Sequence, residues 1–315
     1  MKLRGTDFGQ IFDASGAEGF FGEGYRHHKI LKHFGLDLSG VTFVVKTTTL
    51  EKNPGNMPME EDGITPKELF PKCIRAKFFK GVMLNAVGLS GPGAKALLDD
   101  GRWQAREKPF GISFMAIGKT PEARTAELTA FVKLLSEYLP GFRAPIFLQM
   151  NYSCPNVGLE QQDLIDEVKT GLQIASELGI PLMPKFNVLV SPFAAKEISR
   201  DYNCDALCMS NTIPWGKLPD KINWKKLFGS NISPLAKFGG GGLSGKPLLE
   251  LVIEWVRQAK YAGIGKPINA GGGIFSAEDL ALLYYAGASS VFIGTVVNLR
   301  PWRVRGIVHC ARQIF

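Results

Sequence analysis

The sequence predicts an α/β protein, a single (β/α)8 barrel. Three observations predict it. Short apolar runs alternate with amphipathic helical stretches along the whole chain, the pattern of a parallel sheet with helices outside. Nearly every run ends on a polar, cationic or glycine residue at its C-terminal side, where barrels of this kind place their chemistry. The chain has 315 residues, 45% of them apolar and 21% charged. That is enough for one large barrel, and no Ser/Gly linker divides it, so residues 1–315 read as one domain.

The candidate strands are residues 11–14, 42–46, 82–85, 110–116, 146–151, 181–186, 205–210, 267–270 and 290–294. They are continuous apolar runs, as expected when both faces of a sheet are buried. Nine is one too many for the barrel. Residues 47–109 are rich in Pro, Gly and charge and read as an excursion over the C-terminal face. Assigning 82–85 to that excursion leaves eight. Helical spacing of apolar residues recurs over 123–139, 163–178, 192–200, 247–262 and 276–286. Ser191-Pro192 and Ser276 open two of these with N-cap character. Residues 280–299 carry no charge and have the length of a membrane span. The break at Tyr284–Ser290, followed by Val291-Phe292-Ile293, favours a helix, a turn and a buried strand instead. An open, doubly wound sheet would need a phosphate loop after its first strand, and none is evident there.

Composition excludes several classes. Five Cys, an odd count with no CxxC pair, argue against a disulfide scaffold and against zinc or iron–sulfur sites. The net charge of +8 is scattered along the sequence without a basic run, so nucleic acid is not an expected partner and no metal is expected. The start of the chain lacks the apolar run of a signal peptide, which points to the cytoplasm and away from a membrane.

The strand ends carry the functional reading. Strand one runs into Ala14-Ser15-Gly16, strand two ends on Lys46-Thr47, and strand three carries Ser113. Strand four ends on Asn151-Tyr152-Ser153-Cys154-Pro155-Asn156, strand five holds Lys185, and strand six ends on Ser210-Asn211-Thr212. The last two end on Gly272-Gly273 and Gly294-Thr295, where such barrels bind phosphate on bare backbone N–H groups. Lys46 and Lys185 stand inside apolar strand patterns and need anionic or electron-rich partners, because an unpaired buried ammonium is costly. Residues 240–247 match glycine-rich nucleotide motifs, but no strand precedes them and Pro247 stands where a magnesium-binding Ser or Thr would be. They read as a glycine loop lying against a ligand, Gly245 included, before a helix begun at Pro247. Cys154 sits among Asn and Ser residues and reads as an acid/base. Cys73, Cys204, Cys208 and Cys310 read as small buried residues. His27, His28, His33 and His309 read as surface or helix-end residues.

This set resembles the dihydroorotate dehydrogenase family in its soluble class 1 branch, over almost the whole chain. Asn151 to Asn156 resembles the family's Asn-x-Ser-Cys-Pro-Asn motif, whose Cys is the catalytic base. The stretch from Lys46 to Asn56 resembles the family's segment after strand two, closest to the homodimeric, fumarate-using subclass. Asn85-Ala86-Val87-Gly88-Leu89 and Asn211-Thr212 are similar to the segments that hold the pyrimidine. Ile213-Pro214-Trp215-Gly216 departs from the family's usual continuation.

The resemblance implies flavin mononucleotide (FMN) contacted by Ala14, Ser15, Gly16, Lys46, Thr47, Ser113, Asn151, Lys185, Gly245, Gly272, Gly273, Gly294 and Thr295. It implies oxidation of dihydroorotate to orotate in pyrimidine biosynthesis. Cys154 removes the C5 proton, hydride passes from C6 to flavin N5, and Lys185 stabilises the anionic reduced ring. Lys46, Asn85, Val87, Gly88, Leu89, Asn151, Asn156, Asn211 and Thr212 bind the substrate. The expected acceptor is fumarate or another small soluble molecule, with a partner subunit carrying redox centres as the alternative. Rival readings are another dihydropyrimidine or enoate flavin oxidoreductase, a phosphate-binding barrel without turnover, and a flavin-free aldolase or isomerase using Lys185 as a Schiff-base amine.

Overall fold

A computed structural model describes residues 1–152 and 161–315. The chain opens on a two-residue hairpin, β1 (Lys2–Leu3) and β2 (Thr6–Asp7). Seven strands then form one parallel sheet: β3 (Ile11–Asp13), β6 (Phe110–Phe114), β7 (Ile146–Asn151), β8 (Leu182–Phe186), β9 (Leu207–Met209), β12 (Ile268–Gly271) and β13 (Ser290–Ile293). Their order is β3-β13-β12-β9-β8-β7-β6. The edges β3 and β6 are joined by residues 42–48, through parallel bridges Phe12–Thr42, Val44–Gly111 and Thr48–Phe114. This stretch is the eighth stave and closes the barrel. It was expected as a regular strand over 42–46. It is irregular because the Val44 N–H donates to the Asp13 carboxylate instead of to a neighbouring backbone.

Between β3 and β6 lie β4 (Ile74–Lys77) and β5 (Val82–Asn85), within the expected excursion. They belong to a second, antiparallel sheet in the order β10-β11-β5-β4, with β10 (Ile213–Pro214) and β11 (Gly242–Gly245). The glycine loop expected at 240–247 is therefore in part a strand. Its pairing with β5 sets Gly242 opposite Asn85 and Gly245 opposite Val82.

Helices α1 (Arg26–His33) and α2 (Ala94–Asp99) follow the first two staves. The helices α3 (Pro121–Tyr138), α4 (Gln161–Ala175), α5 (Pro192–Ser199), α6 (Trp224–Phe228), α7 (Leu248–Tyr261), α8 (Ala277–Ala286), α9 (Thr295–Leu299) and α10 (Val304–Ile314) complete the chain. The N-caps read from sequence are made. Ser191 accepts from Ala194 N, and Ser276 forms a capping box with Asp279. Pro247 is the N-cap of α7.

Inside the barrel, Phe8, Phe12, Val44, Phe147, Met183, Cys208 and Phe292 pack with Met1 and Leu3 of the hairpin. Phe8 meets Phe147 edge-on at 5.1 Å. The end away from the C-terminal strand ends is thus a packed core, and chemistry is confined to the opposite mouth. Among the described residues no helix is long and apolar enough to cross a membrane.

Candidate active site

Strand register places the polar residues at one level of the mouth. Asn151 lies opposite Lys185, and Lys185 opposite Cys208. A hydroxyl and amide belt links five staves. Ser15 Oγ donates to Val45 O at 2.9 Å and lies 2.7 Å from Thr47 Oγ1. Thr47 Oγ1 is 2.9 Å from Ser113 Oγ and accepts from Asn151 Nδ2 at 3.4 Å. Asn211 Nδ2 donates to Asn151 Oδ1 at 3.1 Å, and Thr212 N donates to Asn211 Oδ1 at 2.7 Å. Ser15, Thr47, Ser113, Asn151, Asn211 and Thr212, all singled out in the sequence, are thereby brought together.

Two lysines face this region. Lys46 is 7% exposed, and its ammonium donates to the Ser90 carbonyl and lies 4.4 Å from the Phe20 ring centroid. Burial pushes its pKa down to about 8, with the Glu23 carboxylate opposing. Through Ser90 it touches the loop that carries Val87, Gly88 and Leu89. That loop is held by Asn56, whose backbone N–H donates to Val87 O at 2.8 Å and whose Nδ2 donates to Ala86 O at 2.8 Å. Gly88 and Leu89 both have positive φ, at 68° and 59°, so the non-glycine Leu89 is in a strained conformation of the kind found at ligand sites. Asn85 Nδ2 reaches Gly242 O at 3.5 Å, at the outer limit of a hydrogen bond.

Lys185 is 5% exposed. Its ammonium lies 5.5 Å from the Phe292 ring centroid and has no hydrogen-bond partner among the described residues. Burial lowers its pKa, opposed by Cys208 and Asp13. A buried ammonium in this state is poised for an electron-rich or anionic ligand group.

The glycines assigned to phosphate converge on the far side of the mouth. Thr295 Oγ1 donates to Ser244 Oγ at 3.1 Å, next to Gly245. A Cβ on Gly273 would stand 2.8 Å from Leu249 N and 2.9 Å from Gly245 O, and one on Gly245 would overlap Gly81 O. Gly294 is the N-cap of α9 and packs on Ala14. Gly16 has a φ of 90°, and its carbonyl accepts from Tyr25 OH at 2.7 Å. The result is a bare-backbone cradle of Gly245, Gly272, Gly273 and Gly294, with Thr295 beside it. Cradle and unpartnered Lys185 together fit a ligand with a phosphate at one end and an electron-rich ring at the other, which is the chemistry of FMN.

Cys154 and Asn156 lie outside the described residues. Tyr152, just before them, stacks on Phe186 at 6.2 Å and tucks its hydroxyl against Gly171 of α4, where a Cβ would overlap it. The other thiols behave as packing groups: Cys73, Cys204 and Cys208 are buried, and burial pushes Cys208 up to about 11. Cys310 is half-buried. His33 and His309 are exposed. His28 is buried, and it stands in the first turn of α1, a helix-end position and not a surface one. Its Nε2 and that of His27 lie 3.1 and 2.7 Å from Asn298 Oδ1, and burial lowers the His28 pKa to about 4.

Sequence reasoning passed over two serines here and gave a third no role. Ser90 meets Lys46, Ser244 meets Thr295, and buried Ser210, read only as a strand end, leaves its Oγ without a partner among the described residues beside Asn211. Single serines in loops give no signal. Only the position of Ser210 at the end of the sixth stave marked it.

The dihydroorotate dehydrogenase family model matches residues 2–309. The chain belongs to the dihydroorotate dehydrogenase family. It is therefore an oxidoreductase on a barrel fold. It is 30% identical over 299 residues to the catalytic subunit of dihydroorotate dehydrogenase B (NAD(+)) from Anoxybacillus flavithermus, covering 93% of this chain and 83% of that one. The catalytic subunit of the same name from Streptococcus pneumoniae is 29% identical, covering 98% and 89%. These relatives, of the soluble class 1 branch, are named for NAD(+) and not for fumarate. The Eimeria tenella enzyme crystallised with ferulenol superposes with a TM-score of 0.68 at 19% identity, covering 99% of this chain and 83% of that one. That likeness shows the fold.

Proposed function

We propose that the protein oxidises dihydroorotate to orotate in pyrimidine biosynthesis, with FMN held in the barrel mouth. The observation that carries this reading is the pairing of a glycine cradle with the buried Lys185, whose ammonium has no hydrogen-bond partner among the described residues, reached by the belt from Ser15 to Asn211. The backbone of Gly245, Gly272, Gly273 and Gly294, with Thr295, would take the phosphate. Ala14, Ser15, Gly16, Thr47, Ser113 and Asn151 would line the ring, with Lys185 as the cation beside it. FMN supplies the two-electron oxidant when bound.

The chain's own residues then bind, orient and deprotonate. Lys46 and the N–H groups of Gly88 and Leu89, beside Val87, receive the substrate carboxylate, since a confined cation and backbone donors favour a carboxylate over water. Asn85, Asn151, Asn156, Asn211 and Thr212 hold the two imide-like edges, because amides offer both donors and acceptors. Cys154 takes the C5 proton as thiolate.

The names of the curated relatives replace fumarate as the leading acceptor. The final acceptor in this reading is NAD(+), reached through a second subunit, because this chain carries no CxxC-type cluster motif of its own. The catalytic chain itself pairs as a homodimer.

Anaerobic titration tests the reading. Yellow protein that releases one FMN per chain on denaturation, and that is bleached by dihydroorotate, is the expected result. Protein that binds no flavin after reconstitution, or a flavin that dihydroorotate leaves oxidised, overturns it.

A further inference from the structure

Three segments distant in sequence meet beside the glycine cradle. Phe78 and Phe79 form the tip between β4 and β5, Trp302 follows α9, and Phe34 ends α1. Arg300 Nη2 donates to Phe78 O at 2.6 Å, and its guanidinium lies 5.7 Å from the Trp302 ring centroid. A Cβ on Gly35 would stand 3.6 Å from Trp302 Cα, so the end of α1 lies against Trp302. Phe79 is fully exposed, and Phe34, Trp302, Phe78 and Ile30 are each more than half exposed. The tip is braced, since Lys80 Nζ donates to the carbonyls of Lys226 and Leu227. A contiguous exposed aromatic patch on a rigid tip marks an interaction surface.

Its charge is mainly positive, with Asp37 beside Arg305 and Glu278 beside Arg303 at its margin. Residues 26–36, 74–81 and 299–306 each contain three Lys or Arg and no Asp or Glu. Arg26 pairs with Glu60 at 2.9 Å, and none of the other eight cations is ion-paired among the described residues. The sequence scatters these cations, and the fold gathers them. The same segments contain no Ser, Thr, Asn or Gln.

We infer that this patch seats the protein on the surface of an anionic lipid bilayer, with Phe78, Phe79, Trp302 and Phe34 in the headgroup boundary and the surrounding cations on lipid phosphates. Apolar tips bracketed by Lys and Arg suit that boundary, where stems lie in the apolar layer and charges reach the phosphates. A second copy of the same patch is disfavoured by like charge. Readout of adenine in a duplex is disfavoured because the three segments contain no Asn or Gln. The patch adjoins the cradle: Lys246 N donates to Gly81 O at 2.9 Å, and Arg303 Nη1 donates to Phe275 O at 3.1 Å, two residues after Gly273. The protein lies on the membrane in this arrangement and does not span it.

Co-sedimentation of the whole protein with vesicles tests the inference. One set is phosphatidylcholine alone, and the other contains about one third phosphatidylglycerol. Binding to the anionic vesicles only, weakened by salt, is expected. Phe79→Ser should weaken it ~10-fold, and Lys77→Glu with Lys29→Glu ~100-fold, with flavin content and melting temperature unchanged. Quenching of tryptophan fluorescence by brominated lipid should be lost in Trp302→Phe, which keeps the packing. Equal binding to both vesicle types, no binding, or binding unaffected by these substitutions overturns the inference. So does a patch-dependent dimer in ultracentrifugation, or patch-dependent binding of poly-uridine RNA without vesicle binding. These readouts do not use turnover, so they stand apart from the outcome of the flavin titration.

Discussion

Replacing Lys46 by Met should make the protein more stable and a much poorer enzyme. Burial lowers the pKa of Lys46 from the 10.5 usual for lysine to about 8. At ~1.4 kcal/mol per pH unit, holding this ammonium charged in the fold costs about 3 kcal/mol. The sign follows from linkage. The cost is fully present below pH 8, where both folded and unfolded chains carry the charge. It shrinks as pH rises toward 10.5 and vanishes above it. Met removes both the cation over the Phe20 ring and the hydrogen bond to Ser90 O, a loss of about 2 kcal/mol together. The net gain near pH 7 is therefore about 1 kcal/mol. Urea unfolding of flavin-free wild type and Lys46→Met at pH 7 and pH 10 measures it. The same substitution removes the cation proposed for the substrate carboxylate, and kcat/KM for dihydroorotate should fall ~100-fold or more. In wild type, KM should rise above pH 8 as Lys46 loses its proton. A variant less stable than wild type at pH 7, or a stability gap that ignores pH, would refute the reasoning.

Three further outcomes follow from the site. Cys154→Ala should retain flavin and slow flavin reduction by ~100-fold, the usual contribution of a placed base, and the rise of rate with pH seen in wild type by stopped flow should disappear. Gly245→Ala should lose flavin, because its Cβ would overlap Gly81 O and its φ is 102°; flavin absorbance per chain reads this, and full occupancy would remove Gly245 from the cradle. Thr47→Val keeps the shape and deletes the hydroxyl shared by Ser15, Ser113 and Asn151. It should cost about 1–3 kcal/mol of stability and weaken FMN binding, as measured by melting and fluorescence titration; unchanged values would show that the belt is not a unit.

The staves β6, β7 and β8 were legible because they are buried on both faces and so read as unbroken apolar runs. Lys46 and Lys185 were legible for the complementary reason, as charges in such runs. The eighth stave was legible as apolar but not as irregular, because its geometry turns on one carboxylate, Asp13, capturing the Val44 N–H. Strand β11 was read as a loop because Gly-Leu-Ser-Gly has almost no strand preference. Its partner β5 lies far away in sequence, and it is held by backbone bonds that glycine satisfies as well as any residue. The exposed patch was invisible because its three segments are brought together only by the fold. The burial of His28 at the start of α1 was not legible because the Asn298 that receives it is remote in sequence.

The seat of the Tyr152 hydroxyl against Gly171 bears on how this sequence can diverge. A Cβ at 171 has no room while tyrosine stands at 152, with Leu128 Cδ2 and Met150 Cε closing the other sides at 3.1 and 3.2 Å. A smaller residue at 152 leaves a void against α4 that only a larger side chain at 171 refills. The two positions are thus locked in a fixed order of substitution. A lineage leaving this state must shrink 152 first and enlarge 171 afterwards, and one entering it must run the steps in reverse. Because 152 directly precedes the Ser-Cys-Pro-Asn segment in sequence, an exchange on the outer helix is coupled to the residue that leads into that segment.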